Sequence, residues 1–187
     1  MKTAAERFAM ELRRLGIRRV FGIPGGAWIE YMEALRGEGV EFVLVGNEAS
    51  AGFMADVSAR ITGVPGACYG TFGPGATNLA TGVAGALLDR SPVLAFTHEM
   101  ADHMLHRTTQ MRIDHQALFR PLTKGTTRLS PERVAREISE AARIALSEVP
   151  GPVHVGIPAD MAGVEAVGEE VDVPVPFVSP AASDAAL

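Results

Sequence analysis

The stretch from Ile61 to Leu88, ITGVPGACYGTFGPGATNLATGVAGALL, decides the fold. Its 28 residues carry no charge, and a helix of that length crosses a bilayer. Seven glycines, two prolines, Asn78 and several threonines argue against a span. A lipid-facing helix so interrupted would leave backbone groups without partners. The stretch reads instead as a buried strand from Ala67 to Phe72, a glycine loop at Gly73-Pro74-Gly75, and a small-residue helix ending near Leu88.

The flanking sequence repeats that alternation. Thr3 and Glu6 form a capping box, and Phe8, Ala9, Leu12 and Leu15 follow at helical spacing before Gly16. Arg18 to Ile23 is strand-like and meets the breaker Pro24-Gly25-Gly26, with a helix from Ala27 to Arg36 behind it. Glu41 to Val45 is a second strand, and Glu48 opens a helix that stops at Gly63. Pro92 to Thr97 is a fourth strand. Residues 98–119 are polar and weakly periodic, which predicts a loop with short helical turns. Leu122 to Thr126 reads as a short fifth strand. Ser130-Pro131-Glu132 predicts a helix with Ser130 as N-cap, running to about Ser147. Pro152 to Ile157 is the last strand.

Short apolar strands alternating with helices predict a doubly wound α/β domain: a mostly parallel six-stranded sheet with helices on both faces. That domain is expected over residues 1–163. Residues 164–187, with Pro174, Pro176 and Pro180, have linker composition and end on what resembles the first turn of a following domain.

Composition narrows the function. The chain has 187 residues, 47% hydrophobic and 21% charged, so one sizeable core needs no disulfide or metal. Cys68, the single cysteine, excludes an internal disulfide framework and a Cys-based zinc site, and its apolar strand predicts an inert core thiol. A net charge of −5 argues against nucleic acid or a polybasic membrane surface. The first residues lack the apolar region of a signal peptide, so a cytoplasmic location is expected. Trp28 reads as a packing residue, and Arg13, Arg14, Arg18 and Arg19 as a solvated face.

In open α/β sheets, ligands bind outside the carboxyl ends of the strands. Pro24-Gly25-Gly26, Asn47-Glu48 and Gly73 to Asn78 all fall there. Gly73-Pro74-Gly75 before a helix suggests an anion cradle, but Asn78 replaces the third glycine of a dinucleotide fingerprint and no Gly-Lys-Ser/Thr follows. A tight turn for close helix packing explains the loop equally well. Glu48 is either a first-turn glutamate favoured by the helix dipole or a carboxylate in a dry cleft that holds a proton. His98, Glu99, Asp102, His103 and His106 offer a metal-hydrolase alternative, with His103 and His106 on one helical face.

Taken together, Gly22-Ile23-Pro24-Gly25-Gly26, Gly46-Asn47-Glu48-Ala49-Ser50-Ala51-Gly52, Thr71 to Asn78, Arg120-Pro121-Leu122-Thr123-Lys124 and Gly151 to Pro158 stand in a distinctive order. In that order and spacing the chain resembles the N-terminal pyrimidine-binding domain of thiamine-diphosphate enzymes, acetolactate synthases and their decarboxylase relatives above all. The resemblance covers the chain to about residue 160. It implies that Glu48 bonds N1′ of the cofactor's aminopyrimidine and favours the imino tautomer that removes the C2 proton. It further implies that Gly25 and Gly26 let backbone approach thiamine diphosphate, and that Pro74 and Asn78 sit at the mouth of the site. The glycine loop then becomes a wall for the pyrimidine, which displaces the anion-cradle reading.

The chain also departs from the pattern. Counting back from Arg120-Pro121, Met111 stands where the family places a substrate glutamine, and Gln110 is one residue off. Gln110 and His115 are the substrate-side candidates. Arg120 falls where flavin-containing members contact FAD; many members carry no flavin, and none is claimed. The Gly-Asp-Gly…Asn segment that binds diphosphate and Mg2+ in the family is absent, so both are expected on another domain or subunit. The expectation is an acetolactate synthase-like half-site, part of a longer enzyme or the alpha subunit of a split 2-oxo acid decarboxylase. A homo-oligomer, dimer or tetramer, is expected. A non-catalytic module that lost its cofactor is the third reading, and Glu48 between intact glycine loops speaks against it.

Overall fold

The computed structural model describes residues 1–107 and 111–166. The helices are α1 (Ala4–Arg14), α2 (Ile29–Gly37), α3 (Glu48–Thr62), α4 (Pro74–Leu88), α5 (His115–Phe119) and α6 (Val134–Leu146). The strands are β1 (Arg19–Gly22), β2 (Glu41–Leu44), β3 (Gly66–Gly70), β4 (Val93–Glu99), β5 (Thr126–Arg128) and β6 (Val153–Pro158). They form one six-stranded sheet in the order β2-β1-β3-β4-β6-β5, and every pairing is parallel. Strand order reverses between β1 and β3. That switch point places the turns after β1 and β3 side by side, with the turn after β2 next to them.

Alternation along the strands splits the core. Tyr69, Leu94, Phe96, Val153 and Val155 face α1, α2 and α6, where Phe8, Leu12, Trp28, Tyr31, Leu35 and Ile138 pack. Cys68, Val93 and Ala95 face α3, α4 and α5, against Ala51, Ala55, Leu79, Val83 and Phe119. Trp28 is the expected packing residue, stacked on Tyr69 at 3.9 Å between ring centroids. Burial pushes the Cys68 thiol pKa far up, so it stays protonated core. Between α3 and α4 backbone meets backbone: a β-carbon on Gly52 would lie 2.7 Å from Gly82 Cα.

The Thr3–Glu6 capping box forms as expected, with both reciprocal bonds present. Two local expectations are corrected. Helix α6 begins at Val134, not after Ser130, and its N-cap Arg133 makes no side-chain capping bond. The Ser130 amide instead donates to Glu137 Oε2 at 2.8 Å, so residues 130–133 form a separate turn ahead of the helix. Strand β5 lies at Thr126–Arg128 rather than Leu122–Thr126. Arg120–Leu122 continue α5 as a 3-10 turn, and the Thr123 hydroxyl donates to the Phe119 carbonyl at 2.8 Å. Lys124 then reaches the end of α6, its ammonium donating to the Ile144 and Ser147 carbonyls at 2.5 and 2.6 Å. A cation at a helix C-terminus meets its exposed carbonyls and the negative end of its dipole.

After β6 the chain stays attached. The Ala4 amide donates to the Val164 carbonyl at 2.8 Å and the Ala166 amide to the Lys2 carbonyl at 2.9 Å. The linker and the unfinished helix expected beyond this point lie outside the described residues.

Candidate active site

Glu48 is the first residue of α3, directly after Asn47, whose side chain caps the helix by accepting the Ala49 amide at 2.8 Å. The carboxylate is only 7% exposed. Its Oε2 accepts one hydrogen bond, from Asn78 Nδ2 at 3.1 Å. Its Oε1 has no donor among the described residues. A β-carbon on Gly75 would stand 3.3 Å from that oxygen and 2.9 Å from Thr71 Cγ2, so the glycine is what lets α4 approach. Pro74 and Asn78 are exposed.

The two glycines after β1 differ. A β-carbon on Gly25 would lie 2.6 Å from Thr71 Oγ1, so Gly25 makes room for protein. Gly26 is exposed, and a β-carbon there would meet nothing within 4 Å. A buried carboxylate with one oxygen lacking a donor among the described residues suits a ligand carrying a ring nitrogen that shares a proton. These residues fit the pyrimidine end of thiamine diphosphate.

The family model described as "Thiamine pyrophosphate enzyme, N-terminal TPP binding domain" matches residues 2–118. The chain belongs to this family. It is 42% identical to the acetolactate synthase isozyme 2 large subunit of Escherichia coli over 151 residues, 80% of this chain and 28% of that protein. A probable acetolactate synthase large subunit of Methanocaldococcus jannaschii is 36% identical, over 91% of this chain and 29% of that protein. A probable 2-ketoarginine decarboxylase of Pseudomonas aeruginosa is 37% identical, over 85% of this chain and 29% of that protein. The chain thus spans under a third of the length of these relatives.

Behind the cleft, this TPP-binding domain holds a buried polar layer whose pairings the sequence reading missed. Thr97 and Glu99 point to the α5 side of β4, and His98 points to the other. Thr97 Oγ1 lies 2.8 Å from His115 Nδ1 and 2.7 Å from His154 Nε2. His154 stacks on Phe119 at 4.4 Å. On the opposite face the Tyr69 hydroxyl meets His98 Nδ1 at 2.7 Å. Burial pushes the His98 and His154 pKa values down to about 3 and that of His115 to about 4, so all three rings are neutral at pH 7. The signal for this layer was polar residues interrupting apolar strands, as at Val153-His154-Val155.

The histidine-rich segment does not assemble as the metal alternative requires. His98 and Glu99 diverge across the sheet, His103 sits exposed 3.7 Å from Asp160, and His106 is exposed. Glu99, His115 and His154 do bring ligand-type atoms within 4.8 Å of one another. Yet Gln116 Nε2 binds Glu99 Oε1 at 2.5 Å and Arg128 Nε binds Glu99 Oε2 at 2.8 Å. A guanidinium on the one carboxylate opposes a dication, so the three side chains form a hydrogen-bond network rather than a metal site. Burial, only partly offset by Gln116 and Arg128, raises the Glu99 pKa. His115 is 3% exposed and lies behind the Gly73 turn rather than in the cleft. Gln110 lies outside the described residues.

Proposed function

We propose that this domain is the pyrimidine-binding half of a thiamine-diphosphate enzyme acting on 2-oxo acids, by acetolactate synthase-like carboligation or by decarboxylation. The observation that carries it is Glu48: a buried carboxylate with one oxygen held by Asn78 and the other free, at the switch-point crevice. When bound, the cofactor supplies a carbon nucleophile and an electron sink for the 2-oxo acid. Glu48 holds and returns a proton at pyrimidine N1′, in a setting where water competes little for the carboxylate. Gly26 leaves the ring its space, Gly25 and Gly75 let the walls close, and Pro74 and Asn78 border the entrance.

Diphosphate and Mg2+ are assigned to a partner domain, in the same longer protein or in a separate subunit as in a split 2-oxo acid decarboxylase. Gln110 is a substrate-side candidate by its place in sequence alone. FAD is not invoked. Two copies pair through α3 and α4, where Phe53, Met54, Val57 and Ile61 of α3 and Leu88 of α4 are exposed apolar residues. No helix among the described residues is long and apolar enough to cross a membrane. A cytoplasmic location is proposed from the sequence reading.

The test is Glu48→Gln in the assembled enzyme, followed by hydrogen–deuterium exchange at cofactor C2. An amide cannot share the proton, so exchange is expected to slow by about 100-fold or more while the fold persists. Exchange at the unmodified rate refutes the role of Glu48.

A further inference from the structure

The turn that walls the cleft is held from behind by a hydrogen-bond chain with only one direction. Gly73 adopts φ +48°, a left-handed conformation that favours glycine, and its amide donates to His115 Nε2 at 3.3 Å. A backbone N–H can only donate, so Nε2 carries no proton. The neutral ring then carries its proton on Nδ1, which donates to Thr97 Oγ1 at 2.8 Å. The Thr97 hydroxyl passes its own proton to His154 Nε2 at 2.7 Å. Thr97 and His154 are wholly buried, and His115 and Gly73 nearly so.

We propose that His115 is a positioning residue: as the Nδ1–H tautomer it fixes the Gly73 amide, and so the Pro74–Gly75 turn that packs against Glu48, and a second proton on its ring releases that turn. The proposal rests on the reading of Glu48 as the pyrimidine-contacting carboxylate. A second proton has only Nε2 to occupy, where it would point N–H at N–H toward Gly73. The surroundings offer an imidazolium little support. Asp114, on its own helix, spends a carboxylate oxygen capping the Ala117 amide at 2.8 Å. Glu99 on β4 is taken by Arg128 from β5 and by Gln116. His154 on β6 and His98 on β4 are themselves buried imidazoles, and the charges of these rings and His115 oppose one another. Exposed Arg112 lines a surface pocket together with Glu99, His115 and Arg128.

Long-range proton–nitrogen NMR of the 15N-histidine-labelled chain at pH 7 reads the tautomer directly. A bare Nε2 and a protonated Nδ1 on His115 are expected; Nε2–H as the major form overturns the proposal. Hydrogen exchange at the Gly73 amide reads the consequence. His115→Leu is expected to lower its protection about tenfold, the scale of one lost hydrogen bond. His115→Gln, whose amide oxygen can accept the same N–H, is expected to keep most of it. Amides of β6 report whether the fold survives. Equal Gly73 protection in unmodified chain and His115→Leu overturns the proposal. Should the leucine variant not fold, Thr97→Val removes the acceptor of Nδ1–H and is expected to bring Nε2–H into view on His115; an unchanged tautomer there also overturns it. These readouts need no cofactor, so their failure counts against His115. Normal C2 exchange in Glu48→Gln counts against the reading of Glu48.

Discussion

Asn78, on the second turn of α4, donates its side-chain amide to Glu48 Oε2 at 3.1 Å and leaves Oε1 without a donor among the described residues. The contact joins two segments that the sequence shows only as separate motifs. It also makes Asn78 a probe of the role proposed for Glu48.

Asn78→Asp places two carboxylates about 3 Å apart, where both cannot ionise freely. The pair should titrate at a higher apparent pKa. The acid limb of C2 exchange in the assembled enzyme is expected to move up by about one pH unit or more. A pH profile superimposing on that of the unmodified enzyme would show that Asn78 does not govern the carboxylate.

Alanine at two neighbouring glycines should separate stability from binding. Gly75→Ala drives a β-carbon to 2.9 Å from Thr71 Cγ2 and 3.3 Å from Glu48 Oε1. Such crowding costs about 1–3 kcal/mol, read as a lower urea midpoint. Gly26→Ala meets nothing within 4 Å and should leave the melt unchanged. It is nonetheless expected to weaken thiamine diphosphate binding about tenfold, because the methyl fills ligand space. Unaltered cofactor titration in Gly26→Ala would place the ligand elsewhere.

Acid should unfold this domain early. His98, His115 and His154 are held near pKa 3, 4 and 3 by burial, against about 6.5 in the unfolded chain. Below pH 6.5 the unfolded chain binds protons that the folded chain refuses, so stability falls as pH drops toward 4. Each ring removes about 2 kcal/mol by pH 5. His154→Phe should flatten that slope by about one proton. Urea melts between pH 7.5 and 5 test this, and a pH-independent midpoint contradicts it.

Light scattering over a dilution series tests the pairing through α3 and α4. A mass twice the 19.8 kDa of the chain is expected at high micromolar concentration, and Val57→Lys should shift it toward monomer. A clean monomer of the unmodified chain at that concentration would refute the pairing.

The element order, the parallel sheet and the three turns at the carboxyl ends of β1, β2 and β3 were legible in the sequence, because each depends on neighbours a few residues apart. Apolar runs make strands, Thr3–Glu6 caps α1, and Gly63 ends α3. Glu48 was legible as a candidate because a charged residue between apolar runs at a strand-to-helix junction is an electrostatic anomaly. What tertiary structure decided lies across the sheet. Ser130 has every local feature of an N-cap, yet Glu137 takes its amide and α6 starts at Val134. That a side chain on Gly25 would collide with Thr71 is set by the turn after β3 and is not visible in the turn after β1. The bonds of His115 to Thr97 from β4 and to the Gly73 amide before α4 likewise join segments far apart in the chain. These outcomes are set by distances between residues far apart in the chain, and a hydrogen bond is sensitive to tenths of an ångström that no spacing in a sequence encodes.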